Sequence, residues 1–194
     1  MGPFWMSNFK IISNRDFICV IGDNGSGKTT LVEKLILSKV PRDKVYVLNS
    51  SLEDSWNKYV APKNITKPII YTQQYFEKFL LDFTANHIDC TLVLDDIDNY
   101  EIKKSWVLKS IVTNARHLNI GIILTSRNLQ DIPKVLYRQS KYIFVSRQVS
   151  MYDRQYIATI IGLEKSYTLA NLGEHVFGMY DGVTKNMEYI KLKV

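Results

Sequence analysis

No apolar stretch of this chain reaches the ~18 residues that a membrane-spanning helix needs, so no transmembrane segment is expected. The opening Met1-Gly2-Pro3-Phe4-Trp5-Met6 has no basic leader and is short for a secretory signal. Cysteine is scarce. Cys19 and Cys90 each fall at or beside an apolar strand, where buried free thiols are expected rather than a disulfide or a metal site. An intracellular setting follows from that reading. No internal repeat and no low-complexity segment appears. What remains is 194 residues with 46% hydrophobic content, enough for one domain with a real core. The net charge of +6 and pI of about 9.2 permit a polyanionic partner without requiring one.

One stretch carries the chemistry. Gly22-Asp23-Asn24-Gly25-Ser26-Gly27-Lys28-Thr29 matches G-x-x-x-x-G-K-[ST], the phosphate-binding P-loop or Walker A motif. Glycines let the backbone curl until several N–H groups converge on an anion. Lys28 brings a point charge for β- and γ-phosphates, and the Thr29 hydroxyl suits a Mg²⁺ that keeps most of its waters. Residues Gly22 to Thr30 are therefore the expected nucleotide site, with ATP and Mg²⁺ as cofactors. The context agrees. Phe17 to Ile21 is a continuous apolar run, as a buried parallel strand should be. Thr30 to Ser38 reads as a helix that opens toward the phosphates.

Along the chain, a short strand is expected over 9–13 and a second buried strand over 45–48. The polar stretch 49–67 is long for a loop, and Trp56 and Tyr59 stand in it as isolated aromatics. Ile69-Ile70-Tyr71 is expected as a small strand, followed by a helix from Thr72 to about Ala85. Its stripe of Tyr75, Phe76, Phe79, Leu80 and Phe83 at helical spacing is core packing. Thr91-Leu92-Val93-Leu94-Asp95-Asp96 is an apolar strand ending in two carboxylates, the form of a Walker B element. Asp95 is placed to hold a water of the Mg²⁺ carried by Thr29, and Asp96 to polarise the attacking water. Asp98-Asn99-Tyr100-Glu101 has the form of a capping box that opens a helix to about His117, with Ile102, Trp106, Ile111 and Ala115 buried.

Ile120 to Leu124 is another buried strand, ending in Thr125-Ser126-Arg127-Asn128. Polar residues at that end face the ligand crevice of a parallel sheet, so a γ-phosphate sensor is expected there. A short helix from Asp131-Ile132-Pro133 to Gln139, a strand over 142–145 and a helix from Ser150 to Ile161 follow. Glu174–Tyr180 and Met187–Leu192 alternate around Asp181-Gly182 as a hairpin. The fold class is therefore α/β: a doubly wound, mostly parallel sheet with helices on both faces and a C-terminal β-hairpin. One P-loop domain over 1–194 is expected, with 1–14 as an arm and 163–194 as an appendage.

The paired carboxylates and the polar strand tip look like a RecA-like P-loop NTPase, in which the sensor strand lies between the P-loop and Walker B strands. Within that group, Ile111-Val112-Thr113-Asn114-Ala115-Arg116-His117-Leu118-Asn119-Ile120, then Ile123-Leu124-Thr125-Ser126, then Asp131-Ile132-Pro133-Lys134-Val135-Leu136 resemble the FtsK–HerA superfamily. The resemblance covers roughly residues 15–160 and is to its compact viral branch, the genome-packaging ATPases of poxviruses, membrane-containing phages and archaeal viruses. It implies a homo-oligomeric ring, a hexamer, that hydrolyses ATP between subunits and drives double-stranded DNA into a capsid. It further implies the host cytoplasm or the virion as location, and a capsid or membrane-vertex protein as partner.

Arg116 matches the family's Arg-His position and is the first candidate for an arginine finger on the neighbour's γ-phosphate; Arg138 is the second. Arg127 stands where the family often has Gln, so the sensor is Arg127 itself, Ser126 or Asn128. DNA contact would be to the backbone, without sequence readout. Lys63, Lys67, Lys103, Lys104 and Lys109 are candidates for it, with solvated surface the preferred reading of each. Three alternatives stay open, the first being another P-loop ATPase that does not act on DNA. A small-molecule kinase usually needs an Arg-rich lid, and 49–67 contains no Arg. A nucleotide-gated switch would bind ATP and hydrolyse little, which an Asp rather than a Glu at position 96 allows.

Overall fold

The structure, a computed structural model, describes residues 16–37, 40–51, 55–127, 129–148 and 150–192. The strand expected over 9–13 lies outside them. The described strands are β1 (Phe17–Ile21), β2 (Val45–Asn49), β3 (Ile65–Thr66), β4 (Cys90–Asp95), β5 (Ile120–Ser126), β6 (Tyr142–Val145), β7 (Val176–Asp181) and β8 (Met187–Lys191). They form one sheet in the order β3-β2-β4-β5-β1-β6-β7-β8. Pairing is parallel from β3 to β6 and antiparallel through β7 and β8. β5 lies between β1 and β4, as the resemblance implied.

All five residues of β1 and all seven of β5 are buried, because helices or loops cover both faces of the sheet. Alternation sorts the side chains into two cores. Phe17, Cys19 and Ile21 join Leu92, Leu94 and Leu124 on one face, with Phe76 and Leu80 of α2 (Gln73–Asn86) and Leu108 and Ile111 of α3 (Trp106–Leu118). Ile18, Val20, Val93 and Ile123 point to the other face. They join Leu31 and Val32 of the helix after the P-loop, Trp56 and Val60, and Phe177 and Ile190 of the hairpin. That first helix, named here α1 (Lys28–Leu31), passes at once into a π turn over Val32–Ile36. Both cysteines are free and buried.

Several local expectations shift. The pair added to the sheet edge is Ile65–Thr66, not Ile69–Tyr71. Asn64 fixes that register by donating from Nδ2 to the carbonyls of Asp43 and Val45, and Pro68 then removes the donor that a longer strand would need. Ile69 and Ile70 are exposed instead. The helix expected from Asp98 begins at Trp106. Two short 3₁₀ turns (Ile97–Asn99 and Ile102–Lys104) precede it, and the Ser105 hydroxyl accepts from the Leu108 N–H as its cap. Trp106, the first residue of α3, consequently faces solvent at 66% exposure rather than the core.

α4 (Lys134–Gln139) and α5 (Met151–Ile161) match expectation, with the Ser150 hydroxyl capping α5 through the Asp153 N–H. A further helix, α6 (Leu163–Thr168), follows Gly162. The hairpin turn closes over five residues, with Asp181 N–H bonded to the Asn186 carbonyl, and β7 hydrogen-bonds to β6. The hairpin thus extends the main sheet.

Candidate active site

The site forms where the parallel strands end. β1 ends at Ile21, the Gly22 N–H bonds to the Ser126 carbonyl at 3.1 Å, and the chain curls into the P-loop. Only glycine fits at position 22. A Cβ there would sit 2.3 Å from Ser146 Oγ and 2.5 Å from Ser26 Oγ. Gly27 has φ +93°, a left-handed conformation that L side chains rarely adopt, and it turns the loop into α1. Its carbonyl accepts from the Leu31 N–H.

The Lys28 side chain folds back over this loop. Its Nζ donates to the Gly22 carbonyl at 2.8 Å and the Asp23 carbonyl at 3.3 Å, and lies 3.8 Å from Asp96 Oδ1. Thr29 and Thr30 follow in the first turn of α1, half-buried. Asp23, Asn24 and Gly25 form the exposed crest of the loop, and Ser26 Oγ is buried without a hydrogen-bond partner in the described structure.

β4 delivers the carboxylates. Asp95 is 2% exposed. Its Oδ1 accepts from the Thr125 hydroxyl at 2.7 Å and its Oδ2 from the Trp56 indole Nε1 at 2.8 Å. Burial nevertheless pushes its carboxyl above the usual carboxylate range, and these two hydrogen bonds oppose the shift. Asp96 takes a left-handed backbone, φ 48°, and its N–H donates to the same Thr125 hydroxyl at 2.8 Å. That hydroxyl therefore bridges both residues of the acidic pair. Asp96 Oδ1 is buried and has no hydrogen-bond partner in the described structure.

Asp98 does not cap a helix. Its nearly buried carboxylate accepts from the Ser126 hydroxyl, from the Arg127 N–H and, at 3.3 Å, from Arg127 Nε. The tip of β5 is thereby tied to the turn after β4. Ser126 stands beside the P-loop with its hydroxyl turned to Asp98, and Arg127 is half-exposed in the same ion pair. Asn128, the third sensor candidate, lies outside the described residues.

A further acid follows in the next helical turn. Glu33 sits in the π turn, four residues after Thr29 and so on the same side of the helix. It is 7% exposed, and its Oε1 lacks a hydrogen-bond partner in the described structure. Burial first, and then the charge of Asp95, push its carboxyl up to about 7 against the pull of Lys58 and Lys34.

The arginine candidates lie elsewhere. Arg116 falls in the last turn of α3; its side chain is outside the described residues. Arg116 precedes the start of β5 at Ile120, and the P-loop stands at the other end of that strand, beside Ser126, about 20 Å along at ~3.3 Å per strand residue. Arg138 is exposed on α4, just before β6 starts, at that same far end. Of the lysines, Lys103 pairs with Asp131 and Lys104 with Glu101, while Lys109 donates to the Lys103 carbonyl. Lys63 and Lys67 are exposed.

The chain has relatives that bear on this geometry. Residues 7–174 match the family described as the poxvirus A32 protein. The chain belongs to the poxvirus A32 protein family. The uncharacterized protein 075L of Invertebrate iridescent virus 6 is 29% identical over 154 residues, which is 74% of this chain and 58% of that protein. The chain thus spans less than two thirds of that relative's length. Among solved structures, the genome packaging NTPase B204 of Sulfolobus turreted icosahedral virus 2, in complex with AMPPCP, superposes with a TM-score of 0.81 at 16% identity, covering 93% of this chain and 99% of that one. B204 of Sulfolobus turreted icosahedral virus, described as a DNA-packaging ATPase, gives 0.80 at 18% identity, covering 94% and 100%. Membership of the A32 family and the B204-like fold establish the FtsK–HerA type of P-loop NTPase for this chain. Among the described residues no helix is long and apolar enough to cross a membrane, and no group of three or more His, Cys, Asp or Glu side chains is arranged to hold a metal.

Proposed function

We propose that this A32-family protein is the ATP-hydrolysing motor that drives double-stranded DNA into a viral capsid. The observation that carries the reading is the convergence of Lys28, Asp95 and Asp96 at the carboxyl ends of β1 and β4, with Lys28 Nζ 3.8 Å from Asp96. The likeness to a packaging NTPase captured with ATP-γS and AMPPCP supports it.

In this reading the backbone of Gly22 to Thr30 cradles the phosphates and Lys28 leaves its loop carbonyls for the β- and γ-phosphates. The residues fit a hard cation. The donors are oxygens, and Asp95 has lone-pair capacity beyond the two hydrogen bonds it accepts. Thr29 would hold Mg²⁺ directly and Asp95 through a water; the ion supplies charge neutralisation on the phosphates. Asp96 orients and polarises the attacking water with its Oδ1, which makes no hydrogen bond in the described structure. Ser126 senses the γ-phosphate, and Asp98 holds its hydroxyl until then.

Arg116, in the last turn of α3, stands toward the end of β5 opposite its own subunit's P-loop, so in this reading it serves as a finger in trans, in a homo-oligomeric ring, a hexamer. Such a finger is worth roughly 10³–10⁵ in rate, which makes hydrolysis depend on assembly. Residues 1–194 act as one P-loop domain, in the host cytoplasm or at the virion, beside a capsid or membrane-vertex protein. The test is ATP-dependent phosphate release with Asp96→Asn. Release should fall at least 100-fold while affinity for ATP-γS is kept; wild-type release from the variant would remove Asp96 from the reaction.

A further inference from the structure

Trp56 is fully buried, and it spends its side chain's only polar atom on Asp95. Buried indoles normally find an acceptor, and a backbone carbonyl is the usual one. Here the acceptor is the side chain at the end of β4, at 2.8 Å. The residue comes from a 3₁₀ turn, Ser55–Lys58, whose geometry is set by the Trp56 carbonyl accepting from both Tyr59 and Val60 N–H at 3.0 Å. The same connection is tied to β4 at its start, where the Ser50 N–H donates to the Asp95 carbonyl. The indole lies in the same buried cluster as Leu31, Val32 and Val93, so its position is fixed by the core and not by the carboxylate.

From these contacts we infer that Trp56 is a positioning residue for Asp95 and that its indole reads out the state of that carboxylate. The inference rests on the proposed role of Asp95 toward Mg²⁺. With Thr125 on one oxygen and Trp56 on the other, both torsions of the Asp95 side chain are fixed, and the orientation of its remaining lone pairs with them. Outer partners that fix a metal-directed side chain in this way typically set affinity within 10–100-fold. Phenylalanine fills nearly the same space without the N–H, so it removes the orientation and keeps most of the packing.

Two measurements on the full chain test this. The first uses the double variant Trp5→Phe, Trp106→Phe, which leaves Trp56 as the sole indole. AMPPCP with Mg²⁺ should change the emission of Trp56, AMPPCP with EDTA should change it far less, and Asp95→Asn in that background should remove the Mg²⁺-dependent part. An emission that ignores Mg²⁺ overturns the inference, and this arm needs no change at position 56. The second is the Mg²⁺ concentration that half-saturates binding in the presence of AMPPCP, read calorimetrically. Trp56→Phe should raise it about 10-fold while AMPPCP affinity in EDTA is unchanged. If Asp95→Asn raises the Mg²⁺ requirement and Trp56→Phe does not, the positioning role is wrong and the reading of Asp95 stands. If Asp95→Asn itself leaves the requirement unchanged, the reading of Asp95 fails and the inference falls with it.

Discussion

Glu33→Gln should make the protein more stable at pH 8 and change it little at pH 5. Glu33 is held in the π turn with an unpaired Oε1, and burial together with Asp95 pushes its carboxyl from an ordinary 4.5 up to about 7. The sign follows from proton counts. Between those two values the folded chain keeps a proton that the unfolded chain has released, so the stability that Glu33 contributes is full below the unfolded value and is lost as pH rises through about 7. At 1.36 kcal/mol per unit, the loss between pH 5 and pH 8 is about 2 kcal/mol once the part already lost by pH 5 and screening by solvent are allowed for. Glutamine has the same shape and carries no charge, so it escapes the loss. The assay is the urea midpoint of wild type and variant at both pH values. The gap between the two proteins should open by about 2 kcal/mol from pH 5 to pH 8, equivalent to roughly 4–8 °C in Tm for a chain of this size. A gap that stays constant with pH, or a variant that is weaker at pH 8, would refute the reasoning.

Asp98→Ala should cost about 1–2 kcal/mol, because it removes the hydrogen bonds that the Ser126 hydroxyl and two Arg127 donors make to this carboxylate; chemical denaturation at pH 7 measures it, and a loss below about 0.5 kcal/mol would mean the tie is idle. Cys19 and Cys90 should both resist a thiol reagent in the native state and both react in urea. Each is buried, and burial pushes their thiols up to about 12 and about 11. Rapid labelling of either one in the folded protein would contradict the packing described.

What the sequence made legible was local. The P-loop, its strand and its helix sit within about 20 consecutive residues, and the register of glycines around Lys28 states its chemistry directly. The apolar run into Asp95 likewise announced the strand and its acidic end. The partners of those acids were not legible, because they arrive from far away in the chain. Trp56 meets Asp95 across 39 positions, Thr125 meets it across 30, and Asp98 meets Ser126 across 28. Trp56 looked like a stray aromatic in a long polar loop, and Asp98 looked like a cap because Glu101 follows three residues later. The spacing Asp95-Asp96-x-Asp98 was the one local hint that a third acid belonged to the site.

Other expectations failed on propensity. Ile69-Ile70-Tyr71 has strand-forming side chains but follows Pro68, and Trp106 is apolar but begins its helix on the solvent side. α6 was missed because six residues show too little periodicity to recognise. Glu33 drew no notice because an acid in an amphipathic helix is ordinary until its burial is known.

The central claim is that this chain is a motor whose active site is completed by a neighbour. Phosphate release per subunit should therefore be measured against protein concentration, with and without double-stranded DNA, for wild type and Arg116→Ala. Turnover per subunit that rises with concentration, increases with DNA and collapses in the variant is the predicted result. Turnover that is flat with concentration, indifferent to DNA and unchanged by Arg116→Ala would contradict the account.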